Sequence, residues 1–442
     1  MIDTAPYREN RARLQARLAE AGAAALVPTA RARLRNADTE YPFRPDSDFW
    51  YLTGFGEPEG TLVLLPPGAA RPRGESVLFL RERVPSEETW TGRRLGVERA
   101  CEALGVDRAY PASELWTRLG GLLDGCARVV YRSGLDEERD RRLLALFAER
   151  RARARAGEAP PAELVDPARF LGEARLFKSA PELERMRRAA AITGEAHRAV
   201  MGAARPGLRE YELDALLGYT FRRRGADGEA YPNIVAAGEN ACVLHYRASD
   251  AELRAGELVL VDAGCEVEHY ASDVTRTFPV DGRFAGEGRA VYEVVLAAQE
   301  AVLAAVRPGT TLDALHALAV ERLVEGACAL GLVEGDAAEV VAEKRYRHLY
   351  MHRTSHWLGL DVHDCGAYTR EGAPRALEPG MVLTVEPGLY VAPDEASVEA
   401  RWRGIGVRIE DDVLVTPDGC EVLTAAVPKS MAEVEAACAA GR

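Results

Sequence analysis

Carboxylates stand where apolar, strand-like runs end, and this constrains the C-terminal half of the chain more than any other feature. Asp262 ends Leu258-Val-Leu-Val261, Glu386 ends Met381-Val-Leu-Thr-Val385, and Glu410 follows Gly406-Val-Arg-Ile409. Asp273 lies inside the strand-like stretch Tyr270–Val280. Burying one ionised carboxylate without a partner is costly, so a fold that buries all four must supply compensating charge. Four carboxylates carry the charge that two divalent cations neutralise, and the imidazole of His356 adds a fifth donor. That balance fits a two-metal hydrolytic site better than a single ion.

The 442 residues suggest two or three domains. Hydrophobic residues make up 47% and charged residues 28%, as in an ordinary globular protein. No apolar run reaches the length that spans a bilayer. The opening Met1-Ile-Asp-Thr-Ala-Pro-Tyr-Arg-Glu-Asn lacks the apolar core of a secretory signal. The eight cysteines are scattered without a CxxC pair and read as reduced thiols, so the expected location is the cytoplasm. The formal net charge of −13 argues against a nucleic-acid partner and suits a substrate with a positive end.

Residues 1 to about 172 read as a mixed α/β unit. Its expected elements are a helix at 8–22, strands near 24–28, 61–65 and 77–80, and helices near 113–124 and 137–155. Pro160-Pro161 and Pro167 mark 156–168 as a linker. Ser179-Ala-Pro-Glu182 has the form of a capping box and opens a helix to about 203. Arg205-Pro-Gly-Leu and Arg307-Pro-Gly-Thr, 102 residues apart, each follow a long helix and open another. That spacing implies two related αβ halves with a site between them. Leu258–Ala263 and Tyr270–Val280 form an expected hairpin that brings Asp262 beside Asp273. Met381–Glu386 and Ile405–Val415 are further strands, with Arg408 and Glu410 on one face.

His352, His356 and His363 crowd into twelve positions around Gly359, without the His-Glu pair of the helical zinc proteases. In this order the patterns resemble the pita-bread metallopeptidases: methionine aminopeptidase, prolidase and aminopeptidase P. Two stretches, Leu377–Pro393 and Arg403–Asp412, are similar to aminopeptidase P in particular, and Asp38–Phe55 resembles the additional domain that aminopeptidase P shares with prolidase. The likeness spans nearly the whole chain.

The resemblance implies an α/β (α+β) architecture. An N-terminal mixed α/β domain, of the aminopeptidase P/prolidase type, would cover residues 1–174. A catalytic pita-bread domain with pseudo-twofold halves would cover 175–442. It implies an Xaa-Pro aminopeptidase that uses two divalent ions, manganese first and cobalt or zinc as alternatives. Carried over by motif, Asp262, Asp273, His356, Glu386 and Glu410 are the metal ligands. Asp273 and Glu410 would bridge, and Glu386 would also handle a proton. His245, His352 and His363 would surround the scissile bond and Arg408 would be a site arginine. Trp90 matches a tryptophan that reaches a neighbouring subunit's site, implying a homo-oligomer (dimer or tetramer). Arg353 stands where a smaller residue is expected. The rivals are prolidase, for which Arg370 or Arg375 would bind a free carboxylate, and a non-catalytic interaction module, to which the run Arg150–Arg155 would point. Non-catalytic relatives lose metal ligands, and here all five are in place. Creatinase shares the fold without the ligand set.

Overall fold

The computed structural model describes residues 3–68, 71–153, 155 and 160–441. The chain divides into two compact units, Met1–Arg175 and Leu176–Arg442.

In the N-terminal unit the apolar runs form one six-stranded sheet. Its order is Arg108–Pro111, Glu75–Leu80, Thr61–Leu65, Ala23–Pro28, Arg128–Val130, Glu163–Val165. Thr61–Leu65 runs antiparallel to both neighbours, and the remaining pairs are parallel. Strands buried on both faces read as continuous apolar runs, as Ala23–Val27 and Leu62–Leu65 do. Val63, Val77 and Phe79 pack with Leu119 of the helix Leu115–Leu122 and Phe147 of the helix Glu137–Ala152. The expected helix at 8–22 begins earlier, as Ala5–Ala21, and Gly22 closes it at φ 59°, where a side chain is disfavoured.

The linker expected at 156–168 is only partly one. Residues 156–159 lie outside the described residues. Beyond them Glu163–Val165 joins the sheet against Arg128–Val130. Prolines on either side of a short edge strand punctuate it without breaking a ladder bond, and that pattern mimics a linker.

The second unit carries the repeat. Helices Ala180–Ala203 and Glu210–Arg223 are followed by the antiparallel strands Ile234–Ala237, Leu258–Asp262 and Thr275–Pro279. Helices Gly286–Ala305 and Leu312–Ala329 are followed by Val382–Val385, Gly388–Val391, Ile405–Arg408 and Asp411–Thr416. The two Arg-Pro-Gly turns are built alike. Gly207 and Gly309 have φ of 91° and 88°, which favours glycine. Their N–H groups donate to Leu253 O and Leu377 O, each at 2.9 Å. Ser179 caps the first helix through Glu182, whose carboxylate accepts from the Ser179 N–H at 2.8 Å and hydroxyl at 2.6 Å.

Two strand expectations change in detail. The hairpin pairs Asp262 with Thr275, but a small ribbon, Cys265–Val267 with Tyr270–Ala271, intervenes and leaves Asp273 between strands. The single strand expected over 405–415 is two. Ile405–Arg408 pairs with Gly388–Val391, and Asp411–Thr416 pairs with Val382–Val385. At the break, Glu410 N–H donates to Thr275 O at 3.0 Å, which joins the strands of the two halves. No helix among the described residues is long and apolar enough to cross a membrane.

Candidate metal centre

The strand ends of both halves meet at a cavity of about 940 Å³. Asp262, Asp273, Glu386, Glu410, His245, His352, His356, His363 and Arg408 all line it. Trp90 belongs to the other unit, on the helix Pro85–Thr91, where it is 87% exposed.

Asp273, His356 and Glu410 offer ligand atoms that all lie within 4.8 Å of one another. Asp262 is tied to this group by Tyr231, whose phenol lies 2.7 Å from Asp262 Oδ1 and 2.5 Å from Asp273 Oδ1. Glu386 joins through His356, its Oε1 lying 3.7 Å from Nε2. The His356 ring is oriented from behind: Nδ1 lies 3.0 Å from Trp357 O, so it donates there. Nε2 is left facing Asp273 Oδ2 at 3.4 Å and Glu386 Oε1 at 3.7 Å.

The charge state of this group is out of balance. Burial, followed by repulsion from Asp273, Glu386 and Asp262, pushes the Glu410 carboxyl well above the usual carboxylate range. Burial lifts Glu386 to about 7, although His356 and Arg408 oppose the rise. Burial raises Asp262 as well, against the pull of Arg408. Burial disfavours a charged His356, yet the Asp273 hydrogen bond and the charges of Asp273 and Glu386 prevail and raise it to about 9. One phenol proton shared between two carboxylates, and carboxyls and an imidazole that all hold extra protons in the absence of a cation, are arrangements that a metal ion resolves. Oxygen donors with one imidazole suit a hard or borderline divalent ion, so the residues fit such a metal.

Arg408 is the permanent cation of the wall. Its Nη2 donates to Asp262 Oδ2 at 2.5 Å, its Nη1 to Tyr390 OH at 3.0 Å and its Nε to Thr275 Oγ1 at 3.1 Å. Thr275 in turn donates to Glu410 Oε2 at 2.7 Å. Tyr390 OH accepts from Arg408, so it donates to His352 Nε2 at 2.8 Å. His352 Nδ1 then donates to Arg353 O at 2.8 Å. Burial, with Arg408 nearby, lowers the His352 pKa to about 4 and keeps the ring neutral. His363 stands edge-on to His356, with ring centroids 4.4 Å apart, and burial then His356 lower its pKa. Arg353 pairs with Asp313, and both line the cavity.

Several contributors escape a reading of the sequence. Tyr231, Thr275 and Tyr390 lie in ordinary strand-like or loop segments. Asp412 is almost wholly buried, and both its oxygens lie 3.2 Å from the Asp273 N–H. Burial and then Asp273 raise its pKa well above the usual range. Arg276 donates to Glu410 O at 2.5 Å and to Asp411 Oδ1 at 2.7 Å from a fully buried position. The run Asp411-Asp412 after Glu410 was the available signal, since acidic residues opening a buried strand require partners.

Paired αβ halves enclosing a buried acidic cluster define a metal-dependent hydrolase of the pita-bread fold. The model of metallopeptidase family M24 matches residues 184–417, and that of the aminopeptidase P N-terminal domain matches residues 7–131. The chain is 46% identical to the Xaa-Pro aminopeptidase of Escherichia coli K12, over 95% of each chain. It is 36% identical to human Xaa-Pro aminopeptidase 3, over 91% of this chain and 78% of that one. The Pseudomonas aeruginosa aminopeptidase PepP superposes with a TM-score of 0.96 at 49% identity, covering 100% of this chain and 99% of the other. Zn-substituted E. coli aminopeptidase P in complex with product superposes with a TM-score of 0.96 at 44% identity, at the same coverage. The chain belongs to metallopeptidase family M24.

Proposed function

We propose that this chain is an Xaa-Pro aminopeptidase that releases the N-terminal residue from peptides with proline second. The observation that carries the reading is the convergence of five ligand-type side chains, three histidines and Arg408 on one cavity. The extended identity with Xaa-Pro aminopeptidases supports the substrate class. In this reading residues 175–442 perform catalysis, and residues 1–174 form the N-terminal domain.

Asp262, Asp273, His356, Glu386 and Glu410 hold two divalent ions, with manganese fitting the oxygen-rich set and cobalt or zinc as substitutes. When bound, the ions supply Lewis acidity and make hydroxide available near neutral pH. Glu386, which faces the same cavity as the other ligands, takes up a proton and delivers it to the leaving proline nitrogen. Like any amide nitrogen it must be protonated to leave, and because it belongs to a tertiary amide it offers no N–H for a site to bind, so a site built around that donor fits it poorly. His363 donates a hydrogen bond to the scissile carbonyl oxygen as charge develops on it, and His245 steadies the leaving side. Neutral His352 holds the opposite wall through Tyr390 and Arg408. Trp90, exposed on its own unit, extends the pocket of a second copy in a cytoplasmic homo-oligomer, a dimer or tetramer.

Turnover on Ala-Pro-Ala, Ala-Pro and Ala-Ala-Ala tests the reading. Cleavage of Ala-Pro-Ala at least as fast as Ala-Pro, with Ala-Ala-Ala poor, is expected. Activity confined to Ala-Pro would make the enzyme a prolidase, and equal activity on Ala-Ala-Ala would remove the proline pocket.

A further inference from the structure

Only three of the 56 basic residues are lysines, Lys178, Lys344 and Lys429. Two of these pair with an aspartate that directly follows a site residue. Lys178 Nζ lies 3.1 Å from Asp364 Oδ2, beside His363, and both side chains are 1% exposed. Lys429 Nζ lies 2.7 Å from Asp411 Oδ2, beside Glu410.

We propose that Lys178 and Asp364 are positioning residues that hold His363 in the cavity, and that the site requires lysine at 178. The proposal rests on the reading that His363 acts on the substrate. His356 and His363 stand at the two ends of a short loop. Asp364 N–H donates to Trp357 O at 2.9 Å, which closes it. The side chain of Asp364 then turns inward to Lys178. Lys178 is itself held, its backbone N–H donating to Gly380 O at 2.9 Å, beside the bridge from Phe177 to Met381. The ammonium is thus fixed to the segment that leads into Val382–Val385 and Glu386.

Gly359 packs over the pair. A Cβ there would stand 2.1 Å from Asp364 Oδ2 and 3.0 Å from Lys178 Cε. The Gly359 carbonyl accepts from Ala271 N–H at 2.8 Å, which links the loop to the segment carrying Asp273. A planar guanidinium is wider than an ammonium and would lift Gly359 from that contact. Without the cation, Asp364 would lose its buried ammonium partner, and the loop that carries it would shift. Either change moves His363, whose ring is set edge-on to His356. Misplacement by about 1 Å is enough to cost about 10²-fold in rate.

The test uses Lys178→Met, Lys178→Arg and the uncharged pair Lys178→Met/Asp364→Asn, each alone and combined with His363→Ala. The pair keeps the experiment informative if a buried carboxylate that has lost its ammonium prevents folding. The measurements are kcat and KM on Ala-Pro-Ala, metal content, thermal unfolding, and a crystal structure of the metal-free pair variant. We expect kcat to fall about 10–100-fold with KM and metal content little changed. The arginine variant should not rescue it, the further loss in the His363→Ala background should be under about twofold, and the His363 ring should leave its contact with His356. A full additional loss in that background, normal turnover in the pair variant, or rescue by arginine would overturn the proposal. Wild-type turnover of His363→Ala alone would instead overturn the role given to His363, and the proposal with it. No cleavage of Ala-Pro-Ala by the unaltered enzyme would refute the Xaa-Pro reading, separately from any of these.

Discussion

Changing Glu386 to Gln should disable the enzyme and yet stabilise its metal-free form. Burial lifts the Glu386 carboxyl from 4.5 to about 7, so the fold holds the protonated form better than the unfolded chain does. The sign follows from linkage. For a carboxyl whose folded value is raised, the stabilising contribution is full below about 4.5 and is lost as the pH rises through about 7. Above that range the ionised side chain costs the metal-free fold at most about 3 kcal/mol, taking about 1.36 kcal/mol for each pH unit of difference. Glutamine has the same shape and no charge to bury. Urea unfolding of the chelator-stripped protein from pH 4.5 to 8.5 should therefore show the variant more stable at the alkaline end. The two curves should converge toward pH 4.5. With metal restored the order should reverse, and turnover on Ala-Pro-Ala should fall by about 10²–10⁴-fold. A glutamine variant that is less stable than the unaltered protein at pH 8 without metal would refute the reasoning, because it would show that Arg408 and His356 already balance the cluster.

Tyr231→Phe removes the hydroxyl shared by Asp262 and Asp273, and should destabilise the stripped protein by about 2 kcal/mol in the same assay. No change would mean that the phenol does not hold the two carboxylates together. Arg276→Met deletes a fully buried guanidinium paired with Asp411, and should cost about 3–5 kcal/mol whether or not metal is present. A loss under about 1 kcal/mol would show that Lys429 alone balances Asp411. Burial lowers His197 from 6.5 to about 4, so its contribution is full above about 6.5 and is lost as the pH falls toward 4. That is worth about 3 kcal/mol, and a His197→Gln variant should lack this slope when unfolding is followed between pH 7 and 4.

What the sequence disclosed and what it hid follow one physical division. Residues that end an apolar run announce themselves, because the run sets the expectation that the charge violates. Asp262, Glu386 and Glu410 were legible for that reason, and His356 because it lies in a cluster. The helix–turn–helix repeat was legible because Gly207 and Gly309 occupy a backbone region that glycine favours. The partners were not legible, because pairing across the two halves leaves no local trace. Thr275 looks like any strand threonine until Arg408 and Glu410, more than 130 residues away, meet its hydroxyl. The break at Ile409–Glu410 was hidden for a related reason. Ile405–Val415 has apolar residues on both sides of Glu410-Asp411-Asp412 and reads as one strand, although the chain changes partner strand from Gly388–Val391 to Val382–Val385 within it. That change places Glu410 where its N–H meets Thr275 O. A continuous strand would have kept Glu410 in one ladder and away from the other half. Glu410 therefore enters the cluster because a strand from each half gives up regular pairing at that point, and the acidic residues that follow, Asp411 and Asp412, are held by Arg276, Lys429 and the Asp273 N–H.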